Sequence, residues 1–312
     1  MRLERLLKDG ALNDGDRIAL VANGERHTCA ELDRKADRLA AALVRAGVAP
    51  GEVVAVLMHH SAEAVISIFA ALRAGAAVAV LSADAEAERL APKLGGAGAV
   101  AVITEARLGP AAAAVLPLNR AIRLVVLSGG GCPPPSASCL SFEEEVRRDV
   151  GPAALAPSED ADAPALVAVE ADATGRSHRQ VAAAAAALSA LLGVGDTDVI
   201  LNALPLSSDA GIEQLVMAIG AGATLVLEPS FDCPETILRR LAEESVTGFT
   251  LGPAMSGELV ETRRAAALHL PALRYVAFGA TAPPAAHVER LAGLFPAVRV
   301  VSAPAPGLAL AG

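Results

Sequence analysis

Aromatic residues are nearly absent from this chain of 312 residues: they make up 2% of it, with no tryptophan and a single tyrosine, Tyr275. Because planar side chains form the faces on which bases and aryl groups stack, stacking pockets of this kind are scarce. Lysine is almost as rare and occurs only at positions 8, 35 and 93. No position after residue 93 can therefore offer a lysine ammonium to a phosphate or an acyl group.

The four cysteines, Cys29, Cys132, Cys139 and Cys233, have no metal-ligand spacing and no histidine pair that would complete a metal site. We interpret them as reduced thiols and expect no metal centre. The net charge of −9 and the pI of about 5.2 disfavour nucleic acid as the main partner.

Hydrophobic residues make up 53% of the chain, but no run of about 18 apolar residues free of glycine and charge could span a membrane. The first eight residues carry mixed charge and lack the apolar core of a signal peptide. We therefore expect no membrane span and a cytoplasmic location.

Apolar runs of strand length alternate with stretches of helical periodicity along most of the chain. Residues 17–28 differ, since they predict a hairpin around Asn23-Gly24. Further strands are predicted at 53–58, 78–81, 99–104, 124–127, 165–169, 199–203, 223–227, 247–251, 274–278 and 298–302. Helices are predicted at 31–46, 61–74, 86–94, 181–192, 211–220, 234–244, 254–262 and 284–294. This alternation predicts an α/β fold with mostly parallel sheets flanked by helices.

Two stretches rich in proline, glycine and serine or acids, 128–138 and 150–164, predict a flexible loop and a linker. They place a boundary between two α/β subdomains. The first subdomain is expected to cover residues 1–160, including a linker region at about 128–164, and the second to cover 161–312.

Residues 167–181 have the order of a phosphate-holding turn: an apolar strand, a short polar loop with a glycine, and then a long Ala/Leu helix. Backbone N–H groups at the start of such a helix favour an anion. Glu170 and Asp172, however, stand where a phosphate would lie, and the loop has no lysine. Each carboxylate would cost on the order of 1–4 kcal/mol beside a phosphate at about 4 Å.

Five short motifs occur in an order that resembles the N-terminal domain of the adenylate-forming superfamily, which includes acyl-CoA synthetases, fatty-acyl-AMP ligases and nonribosomal peptide synthetase adenylation domains. Besides the loop at 170–179, they are Thr28-Cys-Ala-Glu-Leu32, Leu72-Arg-Ala-Gly-Ala76, Leu204-Pro-Leu206 with Gly220–Leu227, and Phe278-Gly-Ala-Thr-Ala-Pro-Pro284. The resemblance implies two stacked, mostly parallel sheets flanked by helices, without the family's small C-terminal domain.

In that family, a carboxylate attacks the α-phosphate of ATP, and a thiol then takes the acyl group from the adenylate. The family's loop is approximately Thr-Ser-Gly-Ser/Thr-Thr-Gly-x-Pro-Lys-Gly. By resemblance, Thr174 and Gly175 are its retained phosphate-binding residues, while His178 replaces its lysine. Arg176 and His178 would be the remaining cofactor-binding groups of a degenerate loop, although His178 is expected to lie on the surface if the loop binds no anion.

The family's Tyr-Gly-x-Thr-Glu motif, which supplies an Mg²⁺ carboxylate and an aromatic face, corresponds here to residues 304–308, Pro-Ala-Pro-Gly-Leu. The ribose-binding segment and the lysine-bearing domain that follow in the family have no counterpart before Gly312. Because four requirements of the reaction are missing, we expect neither ATP nor Mg²⁺ as a cofactor, no catalytic residues and no adenylation by this chain alone.

The substrate pocket of the family corresponds here to Ser207, Ser208, Asp209, Gly279 and Ala280. These residues predict a retained small-molecule pocket with a polar floor. The alternative is a loop that ends in a helix N-cap, a role that Ser and Asp also suit.

The resulting hypothesis is a pseudo-ligase that acts as a binding or scaffold protein in secondary-metabolite or acyl-group metabolism. An enzyme repurposed for another reaction on an acyl or acyl-carrier substrate, a ligase half completed by a separate C-terminal partner, and a filled, purely structural module remain alternatives. Apolar surface that relatives cover with their C-terminal part predicts a homodimer, or a heteromer with a carrier protein or biosynthetic enzyme.

Overall fold

The predicted class is confirmed by the computed structural model, which contains two mostly parallel sheets flanked by helices. The structure describes residues 1–130, 138–149, 159–167, 169, 175–229, 233–261, 270–279 and 284–302. The chain forms two compact units. One comprises residues 1–17 and 28–182, and the other comprises residues 18–27 and 183–312.

The first unit is built on a seven-stranded sheet in the order β7-β6-β5-β3-β4-β8-β9. Its strands are β3 (Val53–Leu57), β4 (Ala77–Leu81), β5 (Ala99–Glu105), β6 (Leu124–Ser128), β7 (Ser138–Ser141), β8 (Pro164–Leu166) and β9 (Arg176–Ser177). Its helices are α1 (Leu3–Asn13), α2 (Cys29–Arg45), α3 (Ala62–Arg73), α4 (Ala87–Ala97), α5 (Gly109–Val115), α6 (Phe142–Arg147) and the start of α7 (His178–Leu192). Neighbouring strands of this sheet pair in parallel, except for the antiparallel β8–β9 pair at its edge.

Local capping explains where the helices of this unit begin. Thr28 and Glu31 exchange side-chain hydrogen bonds with each other's backbone N–H at the start of α2. The Ser61 side chain caps α3, which begins one residue after the predicted start of this helix. Residues 138–147, which the sequence assigned to the linker region, form β7 and α6 instead. The N-terminal helix α1 was also missed, although Leu3 and Leu7 recur at helical spacing and are buried.

The second unit contains the other seven-stranded sheet, in the order β14-β13-β12-β10-β11-β1-β2. Its strands are β1 (Ile18–Ala22), β2 (Glu25–Thr28), β10 (Val199–Asn202), β11 (Thr224–Leu227), β12 (Gly248–Leu251), β13 (Tyr275–Phe278) and β14 (Arg299–Ser302). Its helices are α8 (Asp209–Ala221), α9 (Pro234–Glu243), α10 (Pro253–Glu261) and α11 (Ala285–Leu294). The predicted Asn23-Gly24 turn joins β1 to β2, and both turn residues have positive φ.

The strand order of the second unit reverses its direction between β10 and β12. From β10 the chain runs through α8 to β11 on one side, whereas from β12 it runs through α10 to β13 on the other side. Adjacent parallel strands whose connections leave in opposite directions open a crevice at their carboxyl ends, where α/β proteins bind ligands. The carboxyl ends of β10 and β12 are therefore the candidate position for a ligand site.

Candidate functional site

Helix α7 begins at His178, three residues earlier than predicted, because Ser177 and Gln180 form a reciprocal cap. The Ser177 N–H donates to Gln180 Oε1 at 2.9 Å, and the Gln180 N–H donates to Ser177 Oγ at 3.3 Å. This exchange satisfies two of the N–H groups that an uncapped helix would offer to an anion.

His178 is fully buried, so the expectation of a surface histidine is wrong. Its Nδ1 accepts a hydrogen bond of 3.2 Å from the Leu3 N–H. Burial, followed by the positive charges of Arg2 and the N-terminal amino group, lowers the pKa of His178 to about 4. Glu4 lies 3.5 Å from Nδ1 but also pairs with Arg2 at 2.5 Å. His178 is therefore a neutral side chain that anchors the N-terminal segment.

The other predicted phosphate-loop residues have separate surroundings. Arg179 forms two hydrogen bonds with Asp162, of 2.7 and 2.9 Å, and both side chains are mostly exposed. Arg176 donates to the Gln180 carbonyl at 3.5 Å. Gly175 packs so closely on β8 that an added Cβ would lie 3.1 Å from the Leu166 carbonyl oxygen. Thr174 lies outside the described residues, and a phosphate-binding role for these positions stays a prediction.

In the second unit, Ser208 is the N-cap of α8, as the helix-cap alternative predicted. Its Oγ accepts from the Gly211 N–H at 3.1 Å and donates to the Pro205 carbonyl at 2.7 Å. Ser207 is half-buried beside it, and Asp209 is the exposed first residue of the helix. The cap thus accounts for Ser208, while the pocket role of this trio stays a prediction.

Asn202, at the carboxyl end of β10, fixes the segment that leads into α8. Its Nδ2 donates to the Gly211 carbonyl at 3.1 Å, and its Oδ1 accepts from the Leu204 N–H at 2.9 Å. Asn202 is fully buried. Both ends of its amide therefore hold the end of β10 and the segment after it against the start of α8.

A second polar group lies at the same edge and joins α8 to β12. Gln214 is 1% exposed, and its Nε2 donates to Thr250 Oγ1. Gly279, just after β13, lies next to Thr250, since an added Cβ would be 3.6 Å from Thr250 Cγ2. Gly279 therefore lies beside Thr250 at this edge of the sheet, and its pocket role stays a prediction, while Ala280 lies outside the described residues.

Sequence reasoning missed Asn202, Gln214 and Thr250. A signal was available for Asn202 and Thr250, because each is a polar residue in an otherwise apolar strand, whereas Gln214 follows Glu213 in its helix and has no such signal. Buried polar residues of this kind require partners and often mark a site. Among the described residues, no group of three or more His, Cys, Asp or Glu could hold a metal ion. No described helix is long and apolar enough to cross a membrane.

The two neighbouring serines allow the capping role to be measured. Replacing Ser208 by alanine is expected to lower the free energy of unfolding by about 1 kcal/mol, because Gly211 N–H loses its acceptor. Replacing Ser207, for which no capping bond is seen in the described part of the chain, is expected to change it by less than about 0.5 kcal/mol. Urea denaturation of both variants tests this, and equal losses would contradict the assignment.

The amino-acid sequence is similar to several known proteins. Residues 7–303 match the AMP-binding enzyme family. The chain is 30% identical over 281 residues to phosphinothricin tripeptide synthetase PhsC of Streptomyces viridochromogenes, covering 88% of this chain and 24% of that protein. It is 29% identical over 272 residues to the salicyl-AMP ligase / salicyl-S-ArCP synthetase of Mycobacterium tuberculosis, covering 81% and 47%. The chain thus spans less than half the length of both relatives.

A solved structure supports the same assignment of the fold. The N-terminal domain of FACL13 from Mycobacterium tuberculosis superimposes with a TM-score of 0.81 at 22% identity. The match covers 97% of this chain and 75% of that one. At this level of identity the match concerns the fold alone.

Proposed function

Because the chain belongs to the AMP-binding enzyme family, we propose that it binds a small carboxylate or acyl ligand and does not adenylate it by itself. The single observation that carries this proposal is the burial of His178, which stands where the family's loop has its lysine. A neutral imidazole that accepts from the Leu3 N–H has no charge to offer a phosphate.

The energetic cost of binding an anion differs between His178 and the neighbouring Arg179. Charging His178 at pH 7, when its pKa is about 4, would cost about 4 kcal/mol, and the Leu3 N–H would also lose its acceptor. The Arg179–Asp162 pair is exposed and screened by solvent, so it could be given up at little cost in stability. Arg179 could therefore leave Asp162 to bind an anion, whereas His178 must stay neutral and hydrogen-bonded to Leu3 in the folded chain.

The ligand-binding part of the proposal rests on the second unit. Asn202 ends β10, the Gln214–Thr250 pair joins α8 to β12, and Gly279 follows β13. All of them lie towards the carboxyl ends of the strands, where α/β sheets hold ligands. Since relatives include a peptide synthetase and a salicyl-AMP ligase, we propose a carrier protein or a biosynthetic enzyme as partner. The homodimer stays a prediction that light scattering at micromolar concentration would test.

A second candidate is a catalytic role, either in another reaction on an acyl substrate or as a ligase half completed by a separate protein. The polar groups at this edge favour it over a filled structural module, because the carboxyl edge is where α/β sheets hold ligands. Assays with added carrier proteins and acyl-CoA would distinguish turnover from binding alone.

Calorimetry with ATP and Mg²⁺ tests the proposed loss of adenylation. We expect a dissociation constant above about 1 mM, and no carboxylate-dependent exchange of pyrophosphate into ATP, because His178 supplies no cation. Micromolar binding would overturn the proposal. In that case Arg179→Gln should abolish the binding, which would assign the phosphate site to the arginine.

A further inference from the structure

In the first unit, a carboxylate of the protein itself occupies the loop at the carboxyl end of β6. Glu143 Oε1 accepts a hydrogen bond of 2.8 Å from Ser128 Oγ and another of 2.8 Å from the Gly129 N–H. Glu143 Oε2 accepts from Ser141 Oγ at 3.2 Å. These three donors, which we call the carboxylate cradle, surround both oxygens of one carboxylate. Such a set of donors recognises an anion.

The sheet, and not Glu143, sets the positions of the three donors. Ser128 is the last residue of β6 and Gly129 follows it, while Ser141 is the last residue of β7. Because β6 and β7 are paired neighbours, the donors come from adjacent strand ends. Ser141 Oγ also accepts from the Glu144 N–H at 3.3 Å, which holds this side chain as the cap of α6. The carboxylate cradle should therefore persist when the Glu143 carboxylate is absent.

The donors are suited to a charged occupant. Gly129 has a φ of +85°, a backbone conformation that favours glycine, and its N–H points at the Glu143 carboxylate. Partial burial raises the pKa of Glu143, but the bonds from the Gly129 N–H and the two serine hydroxyls bring it below the ordinary value. Ser128 is 8% exposed, so little water can replace the anion at its hydroxyl. A vacated cradle should therefore favour another anion, because buried donors without an acceptor are unfavourable.

We propose that the carboxylate cradle is an anion-binding site of the first unit, that the chain occupies it with its own Glu143, and that an external carboxylate binds there when Glu143 withdraws. The site shares no residue with the one proposed for the second unit and does not depend on it. A tethered carboxylate has an effective concentration on the order of millimolar or higher, so free carboxylates compete poorly in the wild-type chain. The Glu143 contact is therefore autoinhibitory, and opening the site releases the first turn of α6 from β6.

Chemical rescue of Glu143→Ala tests the site, with formate as the probe. In sodium chloride the full-length variant should unfold at a lower temperature than the wild type, because the three donors lose their acceptor. Replacing about 100 mM chloride by formate should raise its unfolding midpoint by about 3 °C, as for a site with a dissociation constant of about 10 mM. Glu143→Ser vacates the cradle with a residue suited to the start of a helix, and it takes the place of Glu143→Ala if that variant does not fold.

Two controls separate binding in the cradle from other effects of formate. Glu144 is the matched residue, since it is exposed in the same first turn of α6 and gives only its backbone N–H to the bonds described above. Glu144→Ala should respond to formate as the wild type does, because both chains keep Glu143 in the cradle. Adding Ser128→Ala to Glu143→Ala should abolish the rescue, because it removes one of the three donors. Carboxylate binding in the second unit would raise the midpoint of every chain, so the rescue is measured as the difference from the wild type.

Two results would overturn the inference. An equal response of the wild type and of the chain with a vacated cradle would make Glu143 a structural link only. Rescue that persists after Ser128→Ala would assign the effect of formate to the salt and not to the cradle. Neither result bears on the function proposed for the second unit, which calorimetry on the wild-type chain tests separately.

Discussion

Acidification from pH 7 to pH 4 is expected to lower the free energy of unfolding by about 3 kcal/mol through His178 alone. The folded-state pKa of about 4 lies below the ordinary value of 6.5. Between these two values the unfolded chain binds a proton that the folded chain does not, so stability rises with pH. The contribution is complete above about pH 6.5 and is lost as the pH falls towards 4.

Other groups titrate in the same range, so the measurement is a difference between the wild-type chain and His178→Asn. Asparagine keeps an oxygen that can accept from the Leu3 N–H but does not titrate. Urea denaturation from pH 4 to pH 7 should show the variant gaining on the wild type as the pH falls. A constant difference across this range would mean that His178 is not held neutral by burial.

The position of His178 could not be predicted from the sequence, because its decisive contact joins residues 175 positions apart. Locally it follows a polar loop and precedes an alanine-rich helix, which favours an exposed first turn. The surroundings come from α1, whose Leu3 N–H needs an acceptor, and from Arg2, which is itself buried. Local patterns locate a loop and a helix start well, but they do not show which side chain a distant segment covers.

The fold was more predictable, since parallel sheets leave continuous apolar runs separated by helical periodicity. The sequence did not show that the hairpin at 18–28 belongs to the sheet of the second unit. Its β1 pairs with β11 through Leu20 and Leu225, which lie about 200 positions apart. Likewise, the sequence predicted pocket residues at Ser207–Asp209 and Gly279. The polar residues that the structure buries near this edge are Asn202, Gln214 and Thr250. Their importance depends on strand order, which periodicity does not specify.

Replacing Gly211 by alanine is expected to destabilise the second unit by about 3 kcal/mol or more. An added Cβ would lie 2.1 Å from the Pro205 carbonyl oxygen and 2.7 Å from its carbon, which are both backbone atoms. No side-chain rotation can relieve this overlap, so the segment before α8 must move. That movement would also break the Ser208 cap and both Asn202 amide bonds.

Gly293→Ala provides the matched control in the same unit, because it lies in α11 and an added Cβ would meet no heavy atom within 4 Å. There, alanine should stabilise by about 0.5–1 kcal/mol through its higher helix propensity. The free energy of unfolding from urea denaturation should therefore fall for Gly211→Ala and rise for Gly293→Ala. A loss below about 1 kcal/mol for Gly211→Ala would show that the Pro205 turn can be displaced cheaply, and the crevice edge would then be adjustable rather than fixed.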